Sequence, residues 1–274
     1  MTLLYLVRLD CQQRYEGLIE IFSYMARQCG LARFMTVWEV DERPYPMFSE
    51  YCKGLGIDYS FHEDHNKHFH RTQWSNKMVL AMDKSSDRKP NETQLIAGNV
   101  IAICHADVLV PGAQILQARD AILGGEKYVA AFEDEKGDLG LMRADTCYLQ
   151  HLQAGGDIDA ITVNDTMLDF PHKRRLGSYS GMVFLDRAFY ISCGMDNENI
   201  IGWGPEEVER HIRMTGFGSG YRRIKGWAAH LPHPGAFSDS EQREKNAQEC
   251  QRIHSLTPEL RRAEVEKWRR ERGY

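Results

Sequence analysis

The chain has 274 residues, of which 42% are hydrophobic and 27% are charged, and this composition is ordinary for a folded globular protein. Its length suits one large α/β domain or two small domains. The formal net charge of −5 excludes a global basic field, so we do not expect nucleic acid as a partner.

Apolar patterns in the first part of the chain alternate between strand and helix. Strands are predicted over 3–8, 33–40 and 57–61, and helices over 12–29, 46–54 and 72–83. Arg8 and Asp10 cut the apolar start short, so it is typical of a buried strand and too short for a signal sequence or a membrane span. The polar segment 84–94 contains a proline and predicts a loop.

The second part of the chain continues this alternation. The apolar run 99–104 is typical of a strand buried on both faces, and a helix is predicted after Pro111. Further strands are predicted over 128–132 and 181–186, and a further helix over 205–215. The order predicts an α/β fold with a mixed, mostly parallel sheet covered on both faces by helices. We expect one domain over 1–256, followed by a charged helix over 257–274.

Cysteines and the last helix bear on location and partners. Seven cysteines without a C-x-x-C pair favour a reducing cytoplasm, and Cys104 and Cys193 have the apolar surroundings of core residues. The segment 257–274 holds six Lys/Arg and four Asp/Glu, which favours a solvated helix or a homodimer contact. The alternative is that Trp268 and its basic neighbours touch the inner face of a membrane.

A histidine and an aspartate follow the most apolar strand. His105 and Asp107 come just past its carboxyl end, where open α/β sheets bind ligands. A carboxylate there can hold a divalent cation while phosphate oxygens fill other positions. The alternative is a turn residue beside a partly buried histidine.

The segment from Gly194 to Glu207 is the richest in chemical groups. Trp203 lies between Gly202 and Gly204, and its flat apolar face suits a sugar ring. Glu206 and Glu207 then open a helical pattern and supply a proton acceptor and contacts to hydroxyl groups. The alternative is an ordinary turn that caps a helix.

Two histidines near residue 230 form a third element. His230 and His233 are held by Pro232 and Pro234, and a stiff loop of this kind can supply an imidazole ligand to a metal. The alternative is a surface loop. Histidines also occur four times within residues 62–70, but their irregular spacing and the absence of cysteine favour a polar loop over a zinc site.

Together the three elements resemble the motifs of glycosyltransferases with the GT-A fold, especially glycosyltransferase family 2 and the β-1,4-galactosyltransferase-like group. The segment 105–107 looks like the DxD motif with His in place of the first Asp, and 202–207 looks like G-W-G-G-E-D with Pro and Glu substituted. The segment 230–234 resembles the late H-L-x-H-P segment. The motifs stand in the family's order between residue 3 and about residue 246.

The resemblance implies an inverting transferase that moves a sugar from a nucleotide sugar, most often a UDP-sugar, to a glycan or glycolipid. It implies donor contacts at Arg8, Asp10, Arg14, Glu39, Asp41, Arg71, Asn76, His105 and Asp107. Acceptor contacts are implied at Gly181, Trp203, Gly204 and Glu206, with Glu207 as general base. For Glu39 and Asp41, a solvated strand end is the alternative.

The resemblance also implies a metal ion, bound by Asp107 and by His230 or His233. A nitrogen ligand beside carboxylate and phosphate oxygens favours Mn²⁺, whereas Mg²⁺ is favoured by abundance. Two alternatives remain: a retaining transferase of the same fold, and a protein that binds nucleotide sugars without catalysis. The altered DxD motif motivates the second alternative, and the intact carboxylate pair argues against it.

Overall fold

The structure is a computed structural model that describes residues 1–82, 99–133, 179, 181–234 and 239–273, with the backbone of 141–144 and 168–169. The first elements are β1 (Thr2–Val7), α1 (Gln12–Ser23), β2 (Met35–Asp41), α2 (Phe48–Leu55), β3 (Asp58–Glu63) and α3 (Arg71–Ala81). Next come β4 (Val100–Cys104), β5 (Val108–Leu109), α4 (Gly112–Leu123), β6 (Tyr128–Ala130), β7 (Leu141–Ala144) and β8 (Leu168–Asp169). The last are β9 (Met182–Asp186), α5 (Arg187–Ser192), α6 (Glu206–Gly216), β10 (Arg222–Arg223), β11 (Ala228–His230), α7 (Ser240–Ser255) and α8 (Pro258–Arg272).

Most predicted elements form within a few residues of their expected bounds. The helix expected over 12–29 ends as α1 at Ser23 and continues as a π-helical turn over Tyr24–Gln28. The second strand begins at Met35 because Ala32–Phe34 forms a 3₁₀ turn. The loop expected over 84–94 lies outside the described residues.

The main sheet is mixed and mostly parallel, as predicted. Its seven described strands follow the order β10-β6-β9-β4-β1-β2-β3. Only β9 runs antiparallel to its described neighbours, β4 and β6, in this sheet. The carboxyl ends of the central strands β1 and β4 therefore meet at one edge, where ligands bind in open α/β sheets.

The central strands bury both faces, which explains why their sequences are continuous apolar runs. Leu3 and Tyr5 of β1 pack into one core with α1 and α4, whereas Leu4 packs into a second core with α3. In β4, Ala102 belongs to the first core and Ile103 to the second. Successive residues of a strand point to opposite faces of the sheet. Because helices cover both faces here, every position of these strands must be apolar.

A smaller sheet was not predicted from the sequence. It has the order β5-β11-β7-β8 among the described strands, and β5 pairs antiparallel with β11. In this pairing His230 lies opposite Val108, the residue that follows Asp107. Two segments separated by some 120 residues of sequence are thereby brought side by side.

The C-terminal helix forms as predicted but is not an isolated solvated element. Val265 and Trp268 of α8 pack with Ile253 of α7, and Trp268 is only 2% exposed. Arg261 donates hydrogen bonds to the carbonyl oxygens of Ile253 and Ile212. The alternative that Trp268 touches a membrane has no support, because its ring is buried inside the protein. Among the described residues, none of the helices combines the length and apolarity that crossing a membrane requires.

Candidate functional site

A cleft of about 760 Å³ opens at the carboxyl ends of β1 and β4. Its walls include the three elements singled out in the sequence: the turn at 105–107, the turn and helix start at 202–207, and the loop at 230–233. Charged side chains line much of it, which is unusual for a cavity that serves only packing. The three elements therefore share one site.

Backbone hydrogen bonds fix the turn that carries Asp107. The amide of His105 donates to the carbonyl of Gly181 over 2.8 Å, and the amide of Leu231 donates to the carbonyl of Asp107 over 2.8 Å. The turn is thus held from the main sheet on one side and from the end of β11 on the other. This arrangement fixes the direction of the Asp107 side chain.

The predicted metal ligands lie together. Nε2 of His233 is 2.9 Å from Oδ2 of Asp107, and Nε2 of His230 is 3.6 Å from the same oxygen. One ligand atom from each of the three residues lies within 4.8 Å of the other two. Burial raises the pKa of Asp107, but contact with His233 and the charges of the neighbouring histidines outweigh burial and hold this pKa well below its ordinary range.

The hydrogen bonds of this cluster suit a divalent cation. Nδ1 of His233 contacts the carbonyl oxygen of Pro234 over 2.7 Å. Since a carbonyl only accepts, Nδ1 carries the proton, and Nε2 of the neutral ring has the lone pair that a cation could bind. Nε2 of His233 and Oδ1 of Asp107 are buried and have no hydrogen-bond partner among the residues that the structure describes. Buried polar atoms without partners are costly, and a metal ion would satisfy both.

His105 links this cluster to the carboxylate pair. Its Nδ1 is 4.0 Å from Oδ1 of Asp107, and its Nε2 is 2.7 Å from Oε1 of Glu207. Arg71 approaches the same Oε1 to 3.0 Å and reaches Glu206 at 3.4 Å. His105 thus contacts Glu207 in addition to lying near the candidate metal ligands.

The two glutamates have opposite pKa shifts. Burial raises the pKa of Glu206 to about 7, and its side chain is only 5% exposed. Its Oε2 has no hydrogen-bond partner in the described part of the chain. Burial acts in the same direction on Glu207, but the charge of His105 and the hydrogen bond to it, with the charge of Arg71, hold the pKa of Glu207 well below its usual range. Glu207 is therefore ionised at neutral pH, whereas Glu206 is close to its midpoint.

Trp203 is at the mouth of the cleft and is 58% exposed, so it does not belong to the core. The guanidinium of Arg243, from α7, lies over its ring at 4.8 Å from the centroid. Asn246, one turn further along α7, is fully buried and bonds both the amide and the carbonyl of Ile201 and the carbonyl of Trp203. A Cβ on Gly204 would lie 2.7 Å from Nδ2 of Asn246, so this close approach requires glycine.

Three predicted donor residues line the cleft where β1 ends. Arg8 donates to the carbonyl of Val40 over 3.2 Å and lies 3.7 Å from Asp64. Arg14 pairs with Asp10 over 3.1 Å and donates to the carbonyl of Pro234. These contacts hold two guanidinium groups at the entrance of the cleft.

Four predicted residues do not line the cleft. Glu39 is buried and accepts hydrogen bonds from the amide of Tyr45 and the hydroxyl of Tyr59, both at 2.6 Å. Asp41 lies at the end of β2, 3.9 Å from Arg8, and Gly181 is covered by Phe132 and Val108.

Asn76 is the fourth of these residues. It bonds both backbone groups of Asp196 and the carboxylate of Glu198, and so holds the segment that leads to Trp203. The resemblance implies donor contacts at both Arg71 and Asn76, but only Arg71 lines the cleft.

Sequence reasoning missed Arg243, Asn246 and Asp64. Asp64 accepts hydrogen bonds from Asn66 and from Nε1 of Trp74, and stands beside Arg8. Arg243 and Asn246 belong to a polar helix without a motif, so no local signal points to them. The histidines of 62–70 do not gather into a metal-binding group within the described part of the chain.

Comparisons with known proteins agree with this fold. No protein-family model matches the sequence, and no curated protein matches it. The structure is similar to that of GalNAc-T7 with UDP, GalNAc and Mn²⁺, with a TM-score of 0.55 and 11% identity over 98% of this chain and 53% of that one. It is also similar to glucosyl-3-phosphoglycerate synthase from Mycobacterium tuberculosis with Mn²⁺, UDP-glucose and phosphoglyceric acid, with a TM-score of 0.42 and 14% identity over 85% of this chain and 72% of that one.

The likeness to GalNAc-T7 establishes the fold. The chain has the GT-A fold that its motifs predict, a Rossmann-like, mostly parallel sheet flanked by helices. It spans about half the length of GalNAc-T7.

Proposed function

We propose that this protein is a glycosyltransferase that moves a sugar from a nucleotide sugar, most often UDP-linked, to a hydroxyl group of a glycan or glycolipid. One observation carries the proposal: a candidate metal cluster and a carboxylate pair share one cleft, and His105 bridges them at 4.0 Å and 2.7 Å. Glycosyl transfer needs both, because a diphosphate must leave and a hydroxyl must lose its proton.

The residues that would hold the metal are Asp107, His230 and His233. Their mixture of one carboxylate and two imidazoles favours Mn²⁺, with Mg²⁺ as the abundant substitute. When bound, the ion supplies positive charge to the departing diphosphate. The GalNAc-T7 structure of the same fold contains Mn²⁺ and UDP, which supports this assignment.

Three guanidinium groups of the cleft would bind the donor. Arg8 and Arg14 stand where β1 ends, and Arg71 stands between the metal cluster and the glutamates. Guanidinium groups bind phosphate oxygens through paired N–H donors, and fixed positive charge favours the transition state as charge develops on the leaving group. His105 and Asp10 complete this side of the cleft.

Glu207 is our candidate for the general base. Its low pKa keeps it ionised at neutral pH, its position at the start of α6 stabilises the charge, and part of its side chain faces the cleft. Glu206 would accept hydrogen bonds from acceptor hydroxyls, and Trp203 would stack on the acceptor ring. A base opposite the leaving group gives inversion at the anomeric carbon in a single displacement.

Retention is the second candidate, and one observation favours it. His105 and Arg71 lower the pKa of Glu207, and a carboxylate of low pKa is a weak proton acceptor. The anomeric configuration of the product, read by NMR immediately after transfer, decides between the two outcomes.

Nucleotide binding tests the donor assignment. Thermal unfolding with UDP and UDP-hexoses, with and without Mn²⁺, should show metal-dependent stabilisation of about 2.7 kcal/mol at a ligand concentration of a hundred times Kd. Asp107→Ala should abolish the Mn²⁺-dependent part. Asp120→Ala, an exposed aspartate of α4 paired with Arg119, is the matched control. Unchanged metal-dependent binding in Asp107→Ala would refute the metal assignment.

Transfer kinetics test the base. Glu207→Gln keeps the shape and removes the basicity, so kcat should fall by about 10²–10⁴-fold while donor Kd holds. If Glu206→Gln shows this loss and Glu207→Gln does not, the roles are exchanged. If both variants keep near-normal transfer, the inverting mechanism is wrong.

A further inference from the structure

Arg243 differs from the other cations of the cleft because it has no carboxylate partner among the described residues. Arg14 pairs with Asp10 at 3.1 Å, Arg71 with Glu207 at 3.0 Å, and Arg8 with Asp64 at 3.7 Å. Lys67 lies 3.4 Å from Asp239. Within the described part of the chain, the guanidinium of Arg243 makes no hydrogen bond or ion pair.

The carboxylate of Asp239, which lines the cleft one helical turn before Arg243, is already engaged. Oδ1 of Asp239 accepts hydrogen bonds from the amides of Glu241 and Gln242 at the start of α7. Oδ2 of Asp239 is approached to 3.4 Å by both Lys67 and His68. At this rim the described residues that line the cleft include two cations, Lys67 and Arg243, and one carboxylate, Asp239. Because Asp239 is engaged by Lys67, the excess positive charge resides on Arg243.

The position of Arg243 is defined by its contact with Trp203. Its guanidinium lies over the indole ring at 4.8 Å, and Asn246 fixes the backbone of Trp203 by donating to the carbonyls of Ile201 and Trp203 and accepting from the amide of Ile201. A cation over an aromatic face is held in direction while its N–H groups remain available at the edge. The pair thus combines an apolar surface with a fixed cationic group.

We propose that Arg243 selects an acceptor whose sugar ring, stacked on Trp203, carries a negatively charged substituent such as a carboxylate or a phosphate. This inference rests on the proposed function and specifies the chemical class of the acceptor. A planar guanidinium binds carboxylate and phosphate oxygens through two parallel N–H donors, which a neutral hydroxymethyl group cannot match. Arg243 is then a specificity residue, whereas the base and the metal ligands lie elsewhere in the cleft.

The test measures acceptor binding to the complex of the protein with UDP and Mn²⁺. The probes are methyl glucosides and methyl galactosides in three forms: neutral, uronate and 6-phosphate. Titration by saturation-transfer NMR should show an anionic form binding about tenfold more tightly than its neutral counterpart, the effect of one partly exposed charge-assisted contact. The uronate and phosphate arms show which anion is preferred.

Arg243→Gln should abolish that preference, so that the anionic and neutral forms bind with about equal Kd. The Kd of UDP should stay unchanged, since the substitution removes only the charged contact. Lys245→Gln is the matched control, because Lys245 lies on the same helix, pairs with Glu241 at 2.7 Å and does not line the cleft. An anionic preference that survives Arg243→Gln, or the absence of any anionic preference, would overturn the proposal. Metal-dependent binding of UDP in the same samples reports separately on the proposed function.

Discussion

Replacing Glu206 by Gln should stabilise the protein relative to the unsubstituted chain, and this stabilisation should grow as the pH rises. Burial raises the pKa of Glu206 from 4.5 to about 7, so the folded state binds this proton more tightly than the unfolded state. Folding is therefore penalised once the unfolded carboxyl has ionised, from about pH 4.5 upward, and the penalty is complete above the folded pKa of about 7. Glutamine has nearly the same shape and does not ionise, so it escapes the penalty.

The magnitude follows from the two pKa values. A rise from 4.5 to about 7 corresponds to about 3 kcal/mol at 1.36 kcal/mol per pKa unit, and most of it, about 2 kcal/mol, develops between pH 5 and pH 8. Glu207 does not obscure this window. Its folded pKa is lowered, so its contribution to stability is present above the unfolded value and is lost only at lower pH, as the pH falls through the folded pKa.

Denaturant unfolding of both proteins at pH 5, 6, 7 and 8 provides the assay. The difference in the free energy of unfolding between Glu206→Gln and the unsubstituted chain should rise with pH by about 2 kcal/mol. Glu266→Gln, an exposed glutamate on α8, is the control and should show no such trend. A difference that stays constant from pH 5 to pH 8 would refute the reasoning, because it would mean that Glu206 titrates alike in the folded and unfolded states.

The remaining predictions concern the wall of the cleft formed by Trp203 and α7. Trp203→Ala should raise the acceptor KM strongly and change the free energy of unfolding by no more than about 1 kcal/mol, because the ring is exposed and mainly contacts Arg243. A loss of about 3–5 kcal/mol in a denaturant melt would instead assign Trp203 to the core. Asn246→Ala leaves backbone groups of Ile201 and Trp203 without partners, so it should cost about 1–3 kcal/mol and raise the acceptor KM while donor Kd is unchanged. Calorimetry showing that UDP affinity falls as much as acceptor affinity would contradict a role confined to this wall.

Local patterns in the sequence were sufficient for the class of the main sheet, which is mixed and mostly parallel, but not for the order of its strands. The apolar run of β1 predicts a buried strand and that of β4 a strand buried on both faces, and their neighbours alternate with helices of the expected period. These signals are local, because burial requires apolar residues at regular spacing along one element. Pattern reasoning also placed Asp107 just after a buried strand, where it lines the cleft.

Similar signals did not separate residues of the cleft from residues that support it. Arg71 and Asn76 lie on the same helix, but Arg71 reaches Glu207 whereas Asn76 turns to the backbone of Asp196. Glu39 lies inside β2, two residues before its end, and Tyr45 and Tyr59 occupy its oxygens. Side-chain direction depends on the neighbours that fold against each element, and these neighbours are distant in sequence.

The sequence by itself therefore determined which groups are available, and the tertiary structure decided which of them meet. His230 and His233 reach Asp107 only because β11 pairs with β5. Asn246 fixes the turn of Trp203 although more than forty residues separate the two. Such contacts depend on strand pairing and helix packing between segments that are distant in sequence. They require no regular spacing of residues within either segment, so no local pattern predicts them.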